Sequence, residues 1–451
     1  MSTRQAFIGI DVGTSGMRAC AIDAHDAVLA SVTTPLPAPE RGTADKSVQQ
    51  DPALWWQALC DALDKLAASL RNTQVVRIAL DGTSSTLLLC KPDGTPLTPA
   101  LMYNDARALQ AAERVSAVAP QHSAARGASA SLAKYLYLRD QLDSPDSAAI
   151  PLHQADWLTG KLSGQFRYSD ENNALKLGYD PVARQWSEWL ADVGVDLTAL
   201  PEIVAPGTPV GALSDELATR WHWPGAQLVA GTTDSTAGFL ATGATQVGTG
   251  VTSLGSTLVV KVLSNQPVFD ADHGIYSHRL GDRWLAGGAS NAGGAVLKPF
   301  FNHCDINRYS RLLDPDHPTG LDYYPLPAPG ERFPIADPAL APRLTPRPAS
   351  EREFFQAILE GLANIEAEGY RLLRACGAPV VKQVLTVGGG AHNRRWEKLR
   401  AKKLGVPVSQ ALHSEAAFGA ARLARDGGEF SASANPPPEP TSPSPPPPPP
   451  A

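Results

Sequence analysis

The chain has 451 residues, 43% of them hydrophobic and 19% charged, with a net charge of −6. That length predicts more than one globular domain, and the acidic balance argues against nucleic acid as the main partner. No apolar run reaches the roughly eighteen residues of a membrane span. The five cysteines are scattered without a Cys-x-x-Cys, and the ten histidines show no zinc spacing. Reduced thiols in a cytoplasmic protein without structural zinc are expected. An expected strand starting by residue 6 leaves no room for a targeting peptide ahead of it.

Residues 7–10, 18–22 and 28–33 read as three short strands. The first runs into Asp11 and then into a turn of Gly13, Thr14, Ser15 and Gly16. Glycines there free the backbone to present consecutive N–H groups to an anion, and the hydroxyls add donors. Asp11 would place a carboxylate where a divalent cation could bridge it to phosphate. A helix follows, with Asp51 as N-cap and Pro52 at its first position. Trp55, Leu59, Leu63, Leu66 and Leu70 form its apolar stripe. A further strand, 76–80, ends in Asp81-Gly82-Thr83-Ser84-Ser85. The order β-β-β-α-β predicts a mixed sheet with helices.

The same grammar returns later in the chain. An apolar strand at 228–231 leads into Thr232-Thr233-Asp234, with a helix expected over 235–240. Residues 252–254 lead into Gly255-Ser256-Thr257 and a second apolar run, 258–262. A long amphipathic helix fits 351–376 on the spacing of Phe355, Ile358, Leu359, Leu362, Ile365 and Leu372. The strand 384–387 leads into Gly388-Gly389-Gly390, where a flat ligand could lie on bare backbone, with Asn393 within reach. Lys398, Arg400, Lys402 and Lys403 read as a solvated helix face. From residue 436 the chain is nearly all Pro, Ser, Thr and Glu, a polyproline tail without a core.

Paired Gly-Thr-Ser turns, each with an Asp nearby, predict two related lobes that hold ATP phosphates between them. Asp234 would be the general base toward an acceptor hydroxyl, and Asp11 would hold Mg2+.

In their order along residues 6–426, these segments resemble the FGGY family of carbohydrate kinases, within the actin, Hsp70 and sugar-kinase superfamily. Residues 8–18 resemble its first phosphate motif, 228–239 the segment with its catalytic aspartate, 251–260 its second phosphate motif and 385–393 its adenosine motif. Residues 358–361 and 415–421 resemble its C-terminal helix motifs. Asp105 and Arg107 fit the family's Trp-x-Asp-x-Arg, although Tyr103 stands in place of Trp. Residues 170–174 resemble a segment near its sugar pocket. Lys398 and Lys402 depart from the Gln and Asp usual after the glycine motif. The resemblance implies an α/β fold of two ribonuclease-H-like lobes around an active-site cleft. The boundary expected near 224–227, after the Pro- and Gly-rich 201–209, gives an N-terminal lobe over 1–226 and a C-terminal lobe over 227–430, and the proline-rich composition predicts a disordered tail over 431–451. By that resemblance Gly13, Thr14, Ser15, Gly255, Ser256 and Thr257 cradle phosphates, Gly388, Gly389, Gly390 and Asn393 bind adenosine, and Ser84, Ser85, Asp105 and Arg107 meet the sugar. Residues 81–89 and 287–295 resemble a compact plant and cyanobacterial branch associated with D-ribulose, in which the Asp-Gly-Thr-Ser-Ser turn helps line the sugar pocket. The expectation is a monomeric or homodimeric ATP-dependent D-ribulose kinase. The alternatives are a kinase of D-xylulose or another polyol, and more distantly a non-catalytic ATP-binding regulator.

Overall fold

The computed structural model describes residues 4–42, 46–142 and 149–428. The polyproline tail lies outside the described residues. Two six-stranded sheets organise the chain. In the first, Arg4–Val12, Gly16–Ile22 and Val28–Pro35 form an antiparallel meander. Thr73–Gly82 and then Gln227–Thr233 add on in parallel, and Pro209–Ala212 closes the edge. The second sheet repeats the plan. Thr249–Leu254, Leu258–Ser264, Arg283–Ser290 and Tyr276–Leu280 run antiparallel. Gln383–Val387 and Val408–Gln410 add on in parallel. This is the two-lobed architecture of the actin, Hsp70 and sugar-kinase superfamily.

The local expectations hold where the sequence controls the outcome. Asp51 accepts the Ala53 N–H at 2.9 Å and caps the helix Pro52–Ser69. Its stripe packs Trp55, Leu59, Leu63 and Leu66 onto Ile8, Ile10 and Leu80 of the first sheet. The long helix spans Glu351–Ala375 and packs on the second sheet through Phe355, Ile358, Leu362 and Ile365. The strand ahead of Asp234 belongs to the first sheet, beside Thr73–Gly82. The division drawn at 226/227 therefore cuts that sheet one strand early. An apolar strand reads the same in either lobe, and only its long-range pairing assigns it.

The last helix, Ala416–Asp426, crosses back to lie on the first sheet. Gly9 makes room for it, since a Cβ there would sit 2.0 Å from the Ala421 backbone nitrogen. Asp26 anchors it through Arg422 at 2.7 Å, and Arg77 donates to the Arg425 carbonyl at 2.9 Å. Phe239, Leu240, Val251, Leu285, Phe418 and Ala421 form a third core that joins the lobes.

Candidate active site

Parallel strands in register end at the same level. Asp11 lies opposite Asp81, and Asp81 opposite Thr232. Asp234 follows on the next turn, at the start of the helix Asp234–Ala241. Three carboxyls from three adjacent strands thus converge on one edge of the first sheet. Asp11 Oδ2 accepts from Arg18 Nη1 at 3.2 Å. Burial pushes its carboxyl above the usual range, and Arg18 opposes the shift. Asp234 is half-buried, and its Oδ1 accepts the Ser235 N–H at 2.6 Å. Burial and the nearby Asp11 charge raise its affinity for a proton, while the Ser235 N–H, Lys261 and Lys176 lower it.

Asp81 is absent from the sequence-based set of site residues. It is fully buried, and among the described residues no hydrogen-bond donor reaches either of its oxygens. Burial drives its carboxyl well above the ordinary value, and the charges of Asp11 and Asp234 add to the effect. Two neighbouring carboxyls can partner one another only by sharing a proton. Its signal was present, since Asp81-Gly82-Thr83-Ser84 repeats the grammar of Asp11 to Ser15.

The turn after Asp81 is held from both sides. The Gln154 side-chain oxygen accepts from Thr83 N and Thr83 Oγ1, each at 3.1 Å, which leaves its amide nitrogen buried without a partner. Ser85 adopts a left-handed φ of 68°, and its hydroxyl is buried and unpartnered. Ser84 is half-buried. Lys134, fully buried, donates to the Ser85 carbonyl at 2.8 Å and the Met102 carbonyl at 2.7 Å. It therefore ties the Ser84–Ser85 turn to the segment leading to Asp105. Burial pulls its ammonium down to about 7.

Asp105 has protein partners in place. It is fully buried, and its carboxylate accepts from Val48 N at 2.7 Å, Arg107 N at 3.1 Å and Arg107 Nε at 2.9 Å. Those bonds fix the loop that carries Asp105 and Arg107. Arg107 also donates to Gln49 at 3.1 Å. The segment 170–174 stitches the lobes together. Asn172 Nδ2 donates to Thr232 Oγ1 and to the Arg279 carbonyl, both at 3.0 Å, and its Oδ1 accepts Arg279 N at 2.9 Å.

Thr14 is half-buried and Ser15 exposed on the first hairpin turn, and Gly255, Ser256 and Thr257 are exposed on the second. Against the second turn, Gly293 leaves no room for a side chain: a Cβ would meet the Ser256 carbonyl at 2.5 Å. Gly388 takes a φ of 83°, and a Cβ on Gly390 would meet Leu254 at 2.7 Å. Gly389 has nothing within 4 Å of where its Cβ would lie, so it offers open backbone. Asn393 is occupied as a helix cap, with Oδ1 accepting Trp396 N and Nδ2 donating to Ser310 Oγ, both at 3.0 Å.

Arg400 is buried rather than solvated. It pairs with the buried Glu366 through Nε and Nη2, both at 2.6 Å, and donates to Thr386 Oγ1 at 2.8 Å. Thr252 Oγ1 bonds Glu366 Oε1 at 2.5 Å and Tyr370 OH at 2.9 Å. The network fastens the long helix to the two strands that carry Gly255 and Gly388.

No helix among the described residues is long and apolar enough to cross a membrane. The cysteines are unpaired, with Cys20, Cys60 and Cys90 buried.

Comparison with known proteins matches residues 6–241 to the N-terminal domain of the FGGY family of carbohydrate kinases, and residues 250–425 to its C-terminal domain. The xylulose kinase of Klebsiella pneumoniae is 26% identical over 449 residues, covering 93% of this chain and 89% of the relative. That of Escherichia coli (strain K12) is 26% identical over 445 residues, with the same coverage. The crystal structure of a xyloylose kinase from Brucella ovis superposes with a TM-score of 0.85 at 24% identity, covering 94% of this chain and 91% of that one. With both domain matches in order along nearly the whole described chain, the protein belongs to the FGGY family of carbohydrate kinases.

Proposed function

We propose that the chain transfers the γ-phosphoryl group of ATP to a terminal hydroxyl of a ketopentose. The observation that carries this reading is the placement of Asp234, half-buried beside Asp11 at the strand ends, in a chain matched to a kinase family over both domains. The sugar oxygen attacks the γ-phosphorus as the bond to the ADP oxygen breaks, and the hydroxyl proton passes to Asp234. Oδ1 of Asp234 is engaged by Ser235, and among the described residues no group donates to Oδ2, which leaves Oδ2 as the basic oxygen. Positioning and charge stabilisation do most of the work in such a transfer. Lobe closure would keep water from replacing the sugar.

The residues fit ATP and Mg2+. Gly13, Thr14 and Ser15 would face Gly255, Ser256 and Thr257 across the phosphates, and the open backbone of Gly388–Gly390 suits a flat adenosine. Among the described residues no three-ligand acidic or histidine cluster could cage a metal. One carboxylate with substrate phosphates and water is the usual way Mg2+ is held, and Asp11 would supply that carboxylate. Bound Mg2+ would neutralise charge on the transferring phosphates.

The relatives favour D-xylulose as acceptor, since the Klebsiella pneumoniae and Escherichia coli relatives, matched over 93% of the chain, are xylulose kinases. D-ribulose, expected from the sequence, is the second reading. It rests on the resemblance of residues 81–89 and 287–295 to the ribulose-associated branch. Orphaned groups at Asp81, Ser85 and Gln154 suit a polyhydroxylated ligand near that turn. The reading takes the protein as a cytoplasmic enzyme with its first lobe ending after residue 241. ADP release measured across D-xylulose, D-ribulose and L-ribulose decides the acceptor. Binding of ATP with no release for any sugar would refute the kinase reading. Asp234→Asn is expected to retain ATP binding while kcat falls by roughly 10²–10⁴, and near-normal turnover would refute its role as base.

A further inference from the structure

We propose that Lys261 is a positioning residue for Asp234: it grips the first helical turn behind that carboxylate and supplies the positive charge that keeps it ionised. The proposal rests on the reading of Asp234 as the base. Lys261 projects from Leu258–Ser264, a strand of the second sheet, whereas Asp234 follows the first. Its Nζ donates to the Ser235 carbonyl at 2.8 Å and to Ser235 Oγ at 3.0 Å. The Ser235 N–H in turn holds Asp234 Oδ1 at 2.6 Å. One residue is thus clamped between the lysine of one lobe and the carboxylate at the edge of the other. The grip fixes which oxygen of Asp234 is left for the substrate.

Helix electrostatics give no reason for a lysine here. The N-terminal end of a helix favours anions, so an ammonium against its first turn is disfavoured by the dipole. Its burial is also unfavourable, and pulls the ammonium down to about 8. The compensating partner is Asp234. The other groups facing Lys261 are Lys176, on the turn 175–177, and His278, on Tyr276–Leu280. His278 is buried beside both lysines, which holds its ring neutral. Lys176 lies 5.7 Å from the Tyr276 ring centre. Of the two cations near Asp234, Lys261 is the one bonded to its turn.

The test compares Lys261→Met, Lys261→Arg and Asp234→Asn, using ATP and whichever ketopentose the wild type turns over fastest. In Lys261→Met the acidic limb of the kcat/KM profile should move up by about one pH unit, because an adjacent opposite charge shifts a carboxyl by about that much or more. The loss is then about tenfold on the acidic side. It vanishes once the pH lies above the titration of Asp234 in both proteins, because the carboxylate is then ionised with or without the lysine. Lys261→Arg should restore the limb, and KM for ATP should stay unchanged in both. An equal loss at every pH, unrescued by arginine, would make Lys261 a simple strut and overturn the proposal. So would an unaltered profile in Lys261→Met. If Asp234→Asn itself keeps turnover, the base assignment fails first. If Asp234→Asn is inactive while Lys261→Met keeps the wild-type limb, only the proposal for Lys261 fails.

Discussion

The buried pair Glu366–Arg400 gives the sharpest stability test. Neither side chain is appreciably exposed, and the two share a bidentate contact with both distances at 2.6 Å. Among the described residues, Arg400→Met leaves the Glu366 carboxylate in the core with the Thr252 hydroxyl as its close donor. An uncompensated buried charge costs about 3–5 kcal/mol. Glu366→Leu strands the guanidinium at a similar cost. The double variant removes both charges and leaves chiefly Thr386 Oγ1 unpartnered, a penalty of about 1–3 kcal/mol. The singles sum to about 6–10 kcal/mol, so the cycle should show at least about 3 kcal/mol of coupling. At about 2–4 °C per kcal/mol for a lobe of this size, each single lowers Tm by about 6–20 °C and the double by about 2–12 °C. Calorimetry on the four proteins reads this directly. A double variant as unstable as the sum of the singles would show that the two residues do not act as one unit.

Gly9→Ala should destabilise strongly, since its Cβ would overlap the backbone of the Ala416–Asp426 helix, and overpacking of this kind costs at least about 1–3 kcal/mol. Gly389→Ala meets nothing, so Tm should hold while KM for ATP rises; the reverse pattern in the two variants would refute both assignments. Lys134 binds fewer protons folded than unfolded between about 7 and the ordinary lysine value of 10.5, so wild-type stability should climb with pH across that window. Denaturant titrations of Lys134→Met should lose that slope, and a slope that persists would sink the assignment. Asp11→Ala should weaken the dependence of turnover on Mg2+ concentration, and an unchanged dependence would remove it as the metal's carboxylate.

The sequence disclosed what local chemistry determines. Asp51 and Pro52 marked a helix start, and Asp11 with its Gly-Thr-Ser turn marked a strand end. What it hid were long-range partners. Arg400 sits in a basic run that reads as solvent-facing until Glu366, on another helix, is placed beside it. Asp105 looked available for hydroxyls until Val48, far earlier in the chain, was seen to occupy it. Asn393 was near the glycines as expected, but its side chain serves its own helix. Asp81 was overlooked because its turn was read for its serines, and its carboxyl acquires meaning only from the neighbouring strands.

The two sheets share a strand order yet differ in charge where their strands end. In the first, the paired positions are Asp11 and Asp81, with Asp234 beyond. In the second, the corresponding pair is Ser253 and Val387, next to Gly388. Under the proposed function, a phosphate chain held between the two hairpin turns would meet carboxyls beside the first turn and none at the paired positions beside the second. Cations among the described residues lie against that acidic wall: Arg18 beside Asp11, and Lys261 and Lys176 near Asp234. Under the proposed function this asymmetry would orient ATP before any base-specific contact is made, with adenosine toward the glycines and the terminal phosphate toward Asp234.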